Sequence, residues 1–328
     1  MALRIGVIGT GFAGSTHARA TIGLPDARLT AIAAATIAEA APLAAELHAR
    51  VAPDALALCA SEDVDLVVVA SPTYLHAEHV IAAARAGKQV FCEKPIARTL
   101  DEARAMVRAC DDARVRLAIG HVVRFFPEYR RAKELLDDGA VGRAAVVTLT
   151  RGTLSVGAAR AWYLDAAKSG GVVLDLMLHD LDVLRWWFGE PAHVYGKRVA
   201  EGGGLEYALA SVRYLDRPIV QLEASWAEHA GFRTTFEICG DRGMLVHDSR
   251  AVSPFVVQSA SSAGGAVIPT PTLRETPYRH QLRDLVERLA RGGAPLVDGR
   301  EGLRSLGLGL AVIESAERGE VVPWTVPA

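Results

Sequence analysis

Residues 3–14 read LRIGVIGTGFAG. A short β-rich run, Leu3–Ile8, ends in Gly9-Thr10-Gly11-Phe12-Ala13-Gly14, a GxGxxG pattern opening a helix predicted from about Ala13 to Gly23. The first glycine of such a loop allows the tight turn, the second lets backbone approach a pyrophosphate, and the third lets helix pack on strand. The helix start then offers unpaired N–H groups and a partial positive charge to phosphates. Strand, glycine turn and helix in this order predict a dinucleotide-binding unit.

The same alternation continues outward from that loop. A second strand is predicted at Arg28–Ala34, before an alanine-rich helix to about His48. Asp65–Ala70 (DLVVVA) is a continuous apolar run between polar residues, the pattern of a strand buried on both faces of a parallel sheet. A helix at Glu78–Ala86, stopped by Gly87, and a strand at Gln89–Cys92 lead to Glu93-Lys94-Pro95. Thr99 is placed to cap the next helix, with Glu102 as its capping-box partner, and Val115–Gly120 reads as a further strand. Repeated strand–helix–strand units predict an α/β fold with a doubly wound parallel sheet over residues 1–122.

From residue 123 to 328 the texture is α+β. Helices are predicted at about Glu128–Asp138 and Val173–Phe188, with a strand-like run at Arg143–Gly152 between them. Leu205–Tyr214 and Ile219–Trp226 flank an Asp216-Arg217-Pro218 turn, and Phe232–Gly240 and Met244–Asp248 flank Asp241-Arg242-Gly243. Paired strands around turn residues predict an antiparallel sheet. Ser259–Gly265 (SASSAGG) reads as a flexible loop, and late helices are expected near Tyr278–Arg291 and Arg300–Arg318.

Composition narrows the function classes. The chain has 328 residues, 50% hydrophobic and 23% charged, enough apolar content for two cores and too much for a disordered chain. The formal charge of −2 supplies no bulk field for nucleic acid or an anionic membrane, so neither is an expected partner. Cys59, Cys92, Cys110 and Cys239 are widely spaced, with no CxxC pair, which favours a reducing compartment over a disulfide scaffold. The N-terminus shows no leader pattern, and no run reaches the roughly 18 apolar residues of a membrane span. A soluble, cytoplasmic protein is expected.

Three positions carry the chemistry. At the end of the second strand, where an acid would hold the adenosine ribose of NAD, the chain reads Ala33-Ala34-Ala35-Thr36. The missing acid removes a repulsion against the 2′-phosphate of NADP, yet no arginine stands beside it. Thr36 can donate one hydrogen bond to either, so the choice of NAD or NADP stays open with a slight tilt to NADP. Lys94, at the C-terminal end of a central strand, sits where open α/β sheets bind ligands and can hydrogen-bond a substrate hydroxyl. Asp175, His179 and Asp182 fall at i, i+4 and i+7, which on a regular helix puts all three on one face. His179 suits proton exchange with an alcohol or ketone oxygen, and Asp175 can orient it. The same stripe equally fits a solvated face, or a core histidine satisfying an acid. His76, His79, Asp175 and His179 could supply metal ligands, but nothing requires them to meet, and no metal is expected.

Taken together, GVIGTGFAGSTHA, ASPTYLHAEHVIAAARAGKQVFCEKPIARTLDEA, IGHVVRFFPEY and SGGVVLDLMLHDLDVLRWWFG resemble the Gfo/Idh/MocA oxidoreductases over at least the first 190 residues. The resemblance implies a Rossmann domain followed by a substrate-binding and oligomerisation domain with a large, mostly antiparallel open sheet. It implies hydride transfer between NAD(P) and a secondary alcohol or ketone of a sugar or cyclitol, with Lys94 assisting catalysis and Asp175 and His179 contacting substrate and exchanging its proton. Gly9 to Gly14, Thr36, Ser71, Pro72, Thr73, His76, Glu93 and Lys94 would border or seat the dinucleotide, and Trp162 would flank the nicotinamide. Arg124, with Phe125, would shape the substrate pocket. A homodimer or homotetramer through the sheet is implied, with Trp226, Phe236 and Ile238 assignable either to that face or to the internal core. An NAD-assisted glycosidase and a non-catalytic dinucleotide-binding sensor are the alternatives.

Overall fold

The computed structural model describes residues 2–154, 161–201, 204–216, 218–251, 255–259, 266–267 and 275–327. Its contacts divide the chain into two units: residues 1–125 with 274–306, and residues 126–273 with 307–328.

In the first unit, six strands form one parallel sheet: β1 (Leu3–Ile8), β2 (Ala27–Ala33), β3 (Arg50–Val51), β4 (Leu66–Val69), β5 (Gln89–Cys92) and β6 (Leu117–Ile119). Their order is β3-β2-β1-β4-β5-β6, with every pairing parallel. All four residues of β4 are buried, as expected for a strand covered on both faces. The crossovers carry α1 (Phe12–Thr21), α2 (Ile37–Glu46), α3 (Ala55–Cys59), α4 (His76–Arg85) and α5 (Leu100–Asp112). Thr99 and Glu102 make the expected reciprocal cap on α5. The doubly wound sheet is the one the sequence predicts; β3 and α3 are too short to have shown a period.

Residues 274–306 extend this unit beyond a split at residue 122. In α9 (Pro277–Ala290), Leu282, Leu285 and Val286 are buried in the same core as Ile5, Val7 and Ala18. An amphipathic pattern shows that a helix buries one face, but not against which sheet.

The second unit begins with α6 (Pro127–Asp137) and β7 (Ala144–Gly152), followed by α7 (Ala166–Ser169) and α8 (Leu178–Phe188). Strands β8 (His193–Glu201), β9 (Leu205–Arg213), β10 (Ile219–Ser225), β11 (Arg233–Gly240), β12 (Gly243–Asp248), β13 (Phe255–Ser259) and β14 (Ala266–Val267) follow. Helix α10 (Gly299–Arg318), which belongs to this unit from Gly307 onward, and β15 (Val322–Pro323) end the chain's elements. The nine strands are ordered β14-β13-β12-β11-β7-β10-β9-β8-β15, antiparallel except for the β7–β10 pair. The β9–β10 and β11–β12 hairpins are those read from the sequence, whereas β8 was not read although Gly202-Gly203-Gly204 in the sequence separates it from β9. Arg217 of the first turn and residues 260–265 of the predicted loop lie outside the described residues.

Burial alternates along these strands: in β9, Glu206, Ala208, Ala210 and Val212 are buried and the residues between them are not. Val147, Leu149, Val220, Leu222, Phe236 and Ile238 line the buried face, and Trp226 is buried as well. Trp226, Phe236 and Ile238 therefore belong to the internal core of this unit. Val146, Val199, Leu209 and Ile219 stay exposed. Among the described residues, no helix is long and apolar enough to cross a membrane.

Two sequence expectations need correction at the helix of residues 173–188. It opens as a π-helical turn, Val173–Met177, before the α-helical α8. The wider turn changes the angle between Asp175 and His179, whereas His179 and Asp182 keep the α-helical i, i+3 spacing. Asp182 is fully buried and does not share the partial exposure of Asp175 and His179, because the side of α8 that carries it is packed.

Candidate active site

In the first unit, the glycine loop joins β1 to α1. Gly9 has φ +104°, and a Cβ there would collide with the Ala70 carbonyl; a Cβ at Gly14 would collide with the Gly9 carbonyl. Only glycine fits at these two positions. Helix α1 starts beyond the Gly11 N-cap with no side-chain cap and no acidic residue in its first turn. Its amides are thus left for an outside acceptor, and the loop fits a dinucleotide pyrophosphate. The loop lies between β1 and β4, where the strand order reverses and open α/β sheets bind ligands.

The turns after β4 and β5 open at the same end of the sheet. Ser71 Oγ hydrogen-bonds His79 Nδ1 at 2.9 Å, and Thr73 is buried. His76 is also buried, with Nδ1 2.9 Å from the Pro95 carbonyl and Nε2 2.9 Å from the Ser71 carbonyl. Burial pulls the His76 imidazole below the usual histidine range, against the two carbonyls and Glu93. His76 therefore meets backbone on both ring nitrogens and supports the loops from within. Glu93 is buried and contacts His17 Nε2 at 2.6 Å. Burial raises the Glu93 carboxyl, but the His17 hydrogen bond, with Lys94 beside it, outweighs this and holds the group below its usual range. Lys94 is half-buried on the next position, and its bond to Pro95 is cis.

At the tip of β2, Ala34, Ala35 and Thr36 bring neither acid nor base. The Thr36 hydroxyl oxygen accepts from the Glu39 amide at 3.2 Å and caps α2. Arg124 is buried in this unit, in a short 3-10 turn, and donates to Glu301 Oε2 at 2.9 Å. Its guanidinium thus has a carboxylate partner, a geometry that sequence alone did not reveal.

In the second unit, Gly170 and Gly171 both have positive φ and lead into the π turn. Across residues 171–185, every position is buried except Asp175 and His179, which are partly accessible. Asp175 Oδ2 accepts from the Trp226 indole N–H at 3.0 Å. Trp162 and Tyr163 lie in a 3-10 turn with ring centroids 4.1 Å apart, and Tyr163 meets Trp226 edge-on at 6.4 Å. Glu206 lies behind this group, close to Gly171, and burial together with the charge of Asp175 pushes its carboxyl above the usual range, against the pull of Val172 and Arg198. The aromatic run Trp162–Tyr163–Trp226 thus borders a polar pair on an apolar helix.

Beneath that pair, Arg151 donates twice to Asp180, at 2.7 and 3.0 Å, and also to the Tyr129 hydroxyl at 3.2 Å. All three are buried, and the fork geometry of guanidinium on carboxylate satisfies both charges. Among the described residues no group of His, Cys, Asp or Glu is arranged to hold a metal ion.

Residues 3–121 match the oxidoreductase family with an NAD-binding Rossmann fold, and residues 129–246 match the Gfo/Idh/MocA C-terminal domain. The chain belongs to the Gfo/Idh/MocA oxidoreductase family. Within that family it is 28% identical to inositol 2-dehydrogenase of Rhizobium meliloti (strain 1021), over 98% of this chain and 99% of that protein. It is 30% identical to 1,5-anhydro-D-fructose reductase of Ensifer adhaerens, over 80% of each. Among solved structures it is similar to levoglucosan dehydrogenase in complex with NADH and L-sorbose, with TM-score 0.90, 25% identity and 100% of both chains covered. The protein is accordingly an oxidoreductase with an NAD-binding Rossmann domain.

Sequence reasoning missed the bond from Trp226 to Asp175 and the His17 partner of Glu93. For Trp226 a signal was absent, because alternation cannot tell a buried tryptophan from one that also faces a polar group. For His17 a signal existed: a buried carboxylate needs a donor, and His17 is a polar residue on the inner side of α1.

Proposed function

We propose that this oxidoreductase transfers hydride between a nicotinamide cofactor and a secondary alcohol or ketone carbon of a sugar or cyclitol. The observation that carries the reading is the pair Asp175 and His179, the two partly accessible positions in an otherwise buried stretch of a family member. A bound nicotinamide supplies the hydride acceptor or donor. Oxidising a CH–OH group also requires its hydroxyl proton to leave, and a neutral imidazole is suited to take it. In this reading His179 exchanges the proton, Lys94 hydrogen-bonds and polarises the oxygen, and Asp175, steadied by Trp226, orients the substrate. The relatives named above are dehydrogenases and a reductase, which favours neither a glycosidase nor a sensor.

The cofactor would be held by Gly9 to Gly14 and by the Ser71-Pro72-Thr73 turn, with Glu93 near the nicotinamide end and Trp162 flanking it. Because the β2 tip offers neither a carboxylate to repel a 2′-phosphate nor a cation to bind one, it accepts both NAD and NADP. The exposed sheet face at Val146, Val199, Leu209 and Ile219 supports a homodimer or homotetramer, which light scattering on the purified protein tests. The four free cysteines support a cytoplasmic setting.

The test is a fluorescence titration with NADH and NADPH, followed by turnover with myo-inositol, 1,5-anhydro-D-fructose and levoglucosan in both directions. Lys94→Ala and His179→Ala are each expected to lower kcat by about a hundredfold or more while cofactor binding persists. Wild-type turnover in either variant removes that residue's role, and absence of cofactor binding removes the reading.

A further inference from the structure

We propose that His17 and His76 are positioning residues for Lys94, each holding the backbone on one side of it. The proposal rests on the catalytic reading of Lys94 given above.

On the N-terminal side, the Lys94 amide donates to Glu93 Oε2 at 3.1 Å. The other carboxylate oxygen meets His17 Nε2 at 2.6 Å. Among the described residues, buried His17 Nδ1 has no hydrogen-bond partner, so the ring's proton belongs on Nε2 and His17 is the donor. Ring edges fix the imidazole plane: Phe91 at 4.8 Å and 64°, and Tyr278 at 5.5 Å and 74°. Gly120 closes the opposite side of the carboxylate, where a Cβ would come within 2.8 Å of Oε2. Glu93 therefore has one orientation, and that orientation holds the Lys94 amide.

On the C-terminal side, the Pro95 carbonyl faces His76 Nδ1, and the Ser71 carbonyl faces Nε2. A neutral ring donates to one of these two carbonyls and only touches the other, and the imidazole is wedged between the turn after β4 and the turn after β5. Both histidines stand on helices that begin at ligand-facing turns: α1 after the glycine loop, and α4 after Ser71-Pro72-Thr73. The lysine's side chain is long and flexible, so the placement of its ammonium depends on a rigid backbone beneath it.

The experiment compares His17→Leu with His17→Gln, and His76→Leu with His76→Asn. The amide variants keep an N–H donor near the position of the lost ring N–H, whereas leucine fills volume without one. Amide hydrogen exchange of the cofactor-free protein is expected to rise about tenfold over Glu93–Ala97 in the leucine variants and to stay unchanged elsewhere. With the substrate found in the turnover panel, kcat is expected to fall about tenfold to a hundredfold, while KM and the NADH dissociation constant move less than about threefold. The glutamine and asparagine variants are expected to recover most of that loss. Unchanged exchange at Glu93–Ala97, a rise spread over the whole unit, or an amide variant as impaired as its leucine counterpart overturns the proposal. A second measurement needs no leucine variant: the His17 Nε2–H proton is expected far downfield in the NMR spectrum and to move upfield in Glu93→Gln. An unmoved resonance counts against the proposal. The exchange and NMR arms read the backbone without turnover, so their outcome is separate from failure of the dehydrogenase reading.

Discussion

The indole N–H of Trp226 donates to Asp175 Oδ2 at 3.0 Å, joining the residue after β10 to the π turn that opens the candidate substrate helix. The two are 51 positions apart in the chain. A carboxylate that has one oxygen held by a buried ring keeps a single rotamer and presents its other oxygen in a fixed direction.

Trp226→Phe keeps the ring and removes the donor. A hydrogen bond to a charged group is worth about 1.5–3 kcal/mol, so kcat/KM for the polyol is expected to fall by about tenfold or more. The NADH dissociation constant should not change, because an aromatic ring remains for Tyr163 to pack on and only the donor to Asp175 is lost. Steady-state kinetics with a fluorescence titration checks both, and full activity would sink the role given to this bond.

Ala34→Asp restores an acid at the tip of β2, where a ribose diol would be held and a 2′-phosphate repelled. NADPH affinity is expected to drop about tenfold or more relative to NADH, read as the ratio of two titrations in the same buffer. An unchanged ratio would mean that another element, not this tip, selects the cofactor.

Asp180→Ala leaves the Arg151 guanidinium buried without its carboxylate. Breaking a buried pair in this way costs about 3–5 kcal/mol, seen as a lower urea midpoint at constant slope. The double replacement Arg151→Met with Asp180→Leu is expected to recover most of that loss, since neither charge then remains to be buried. A single variant as stable as the wild type would contradict the burial of the pair.

Acid should weaken the first unit before it titrates carboxylates. Burial holds His76 and His79 below the usual histidine range, with the charge of Glu78 opposing it at His79. A depressed folded pKa means that the unfolded chain takes up the proton first. The stability supplied by the neutral rings is therefore complete above about pH 6.5 and lost as pH falls through the folded values. The melting temperature is expected to decline between about pH 7 and pH 5, and His79→Gln should flatten part of that decline. A flat profile in the wild type would argue against buried neutral rings.

Several features were readable in the chain because they depend on near neighbours in sequence. The turn at Gly9 to Gly14 needs residues that a Cβ would exclude, Asp65–Ala70 announces a strand without a wet face, and Thr99 with Glu102 closes its own cap. Lys94, Asp175 and His179 were also singled out, through strand-end position and helical spacing. Other features depend on partners far along the chain, and no local pattern holds them. The core around Ile5 claims Leu282, Leu285 and Val286, and the β7–β10 pair runs parallel inside a mostly antiparallel sheet. A helical period predicted Asp182 on one accessible face with His179; packing around α8 buries it instead.

Local chemistry along the sequence was enough to specify the glycine turn, the doubly wound sheet and the paired hairpins. Tertiary packing alone decided which carboxylate meets Trp226, which histidine holds Glu93, and which unit receives α9. The reason is physical: backbone conformation and period follow from neighbouring residues, whereas a buried polar group is satisfied by whatever the fold brings within about 3 Å of it.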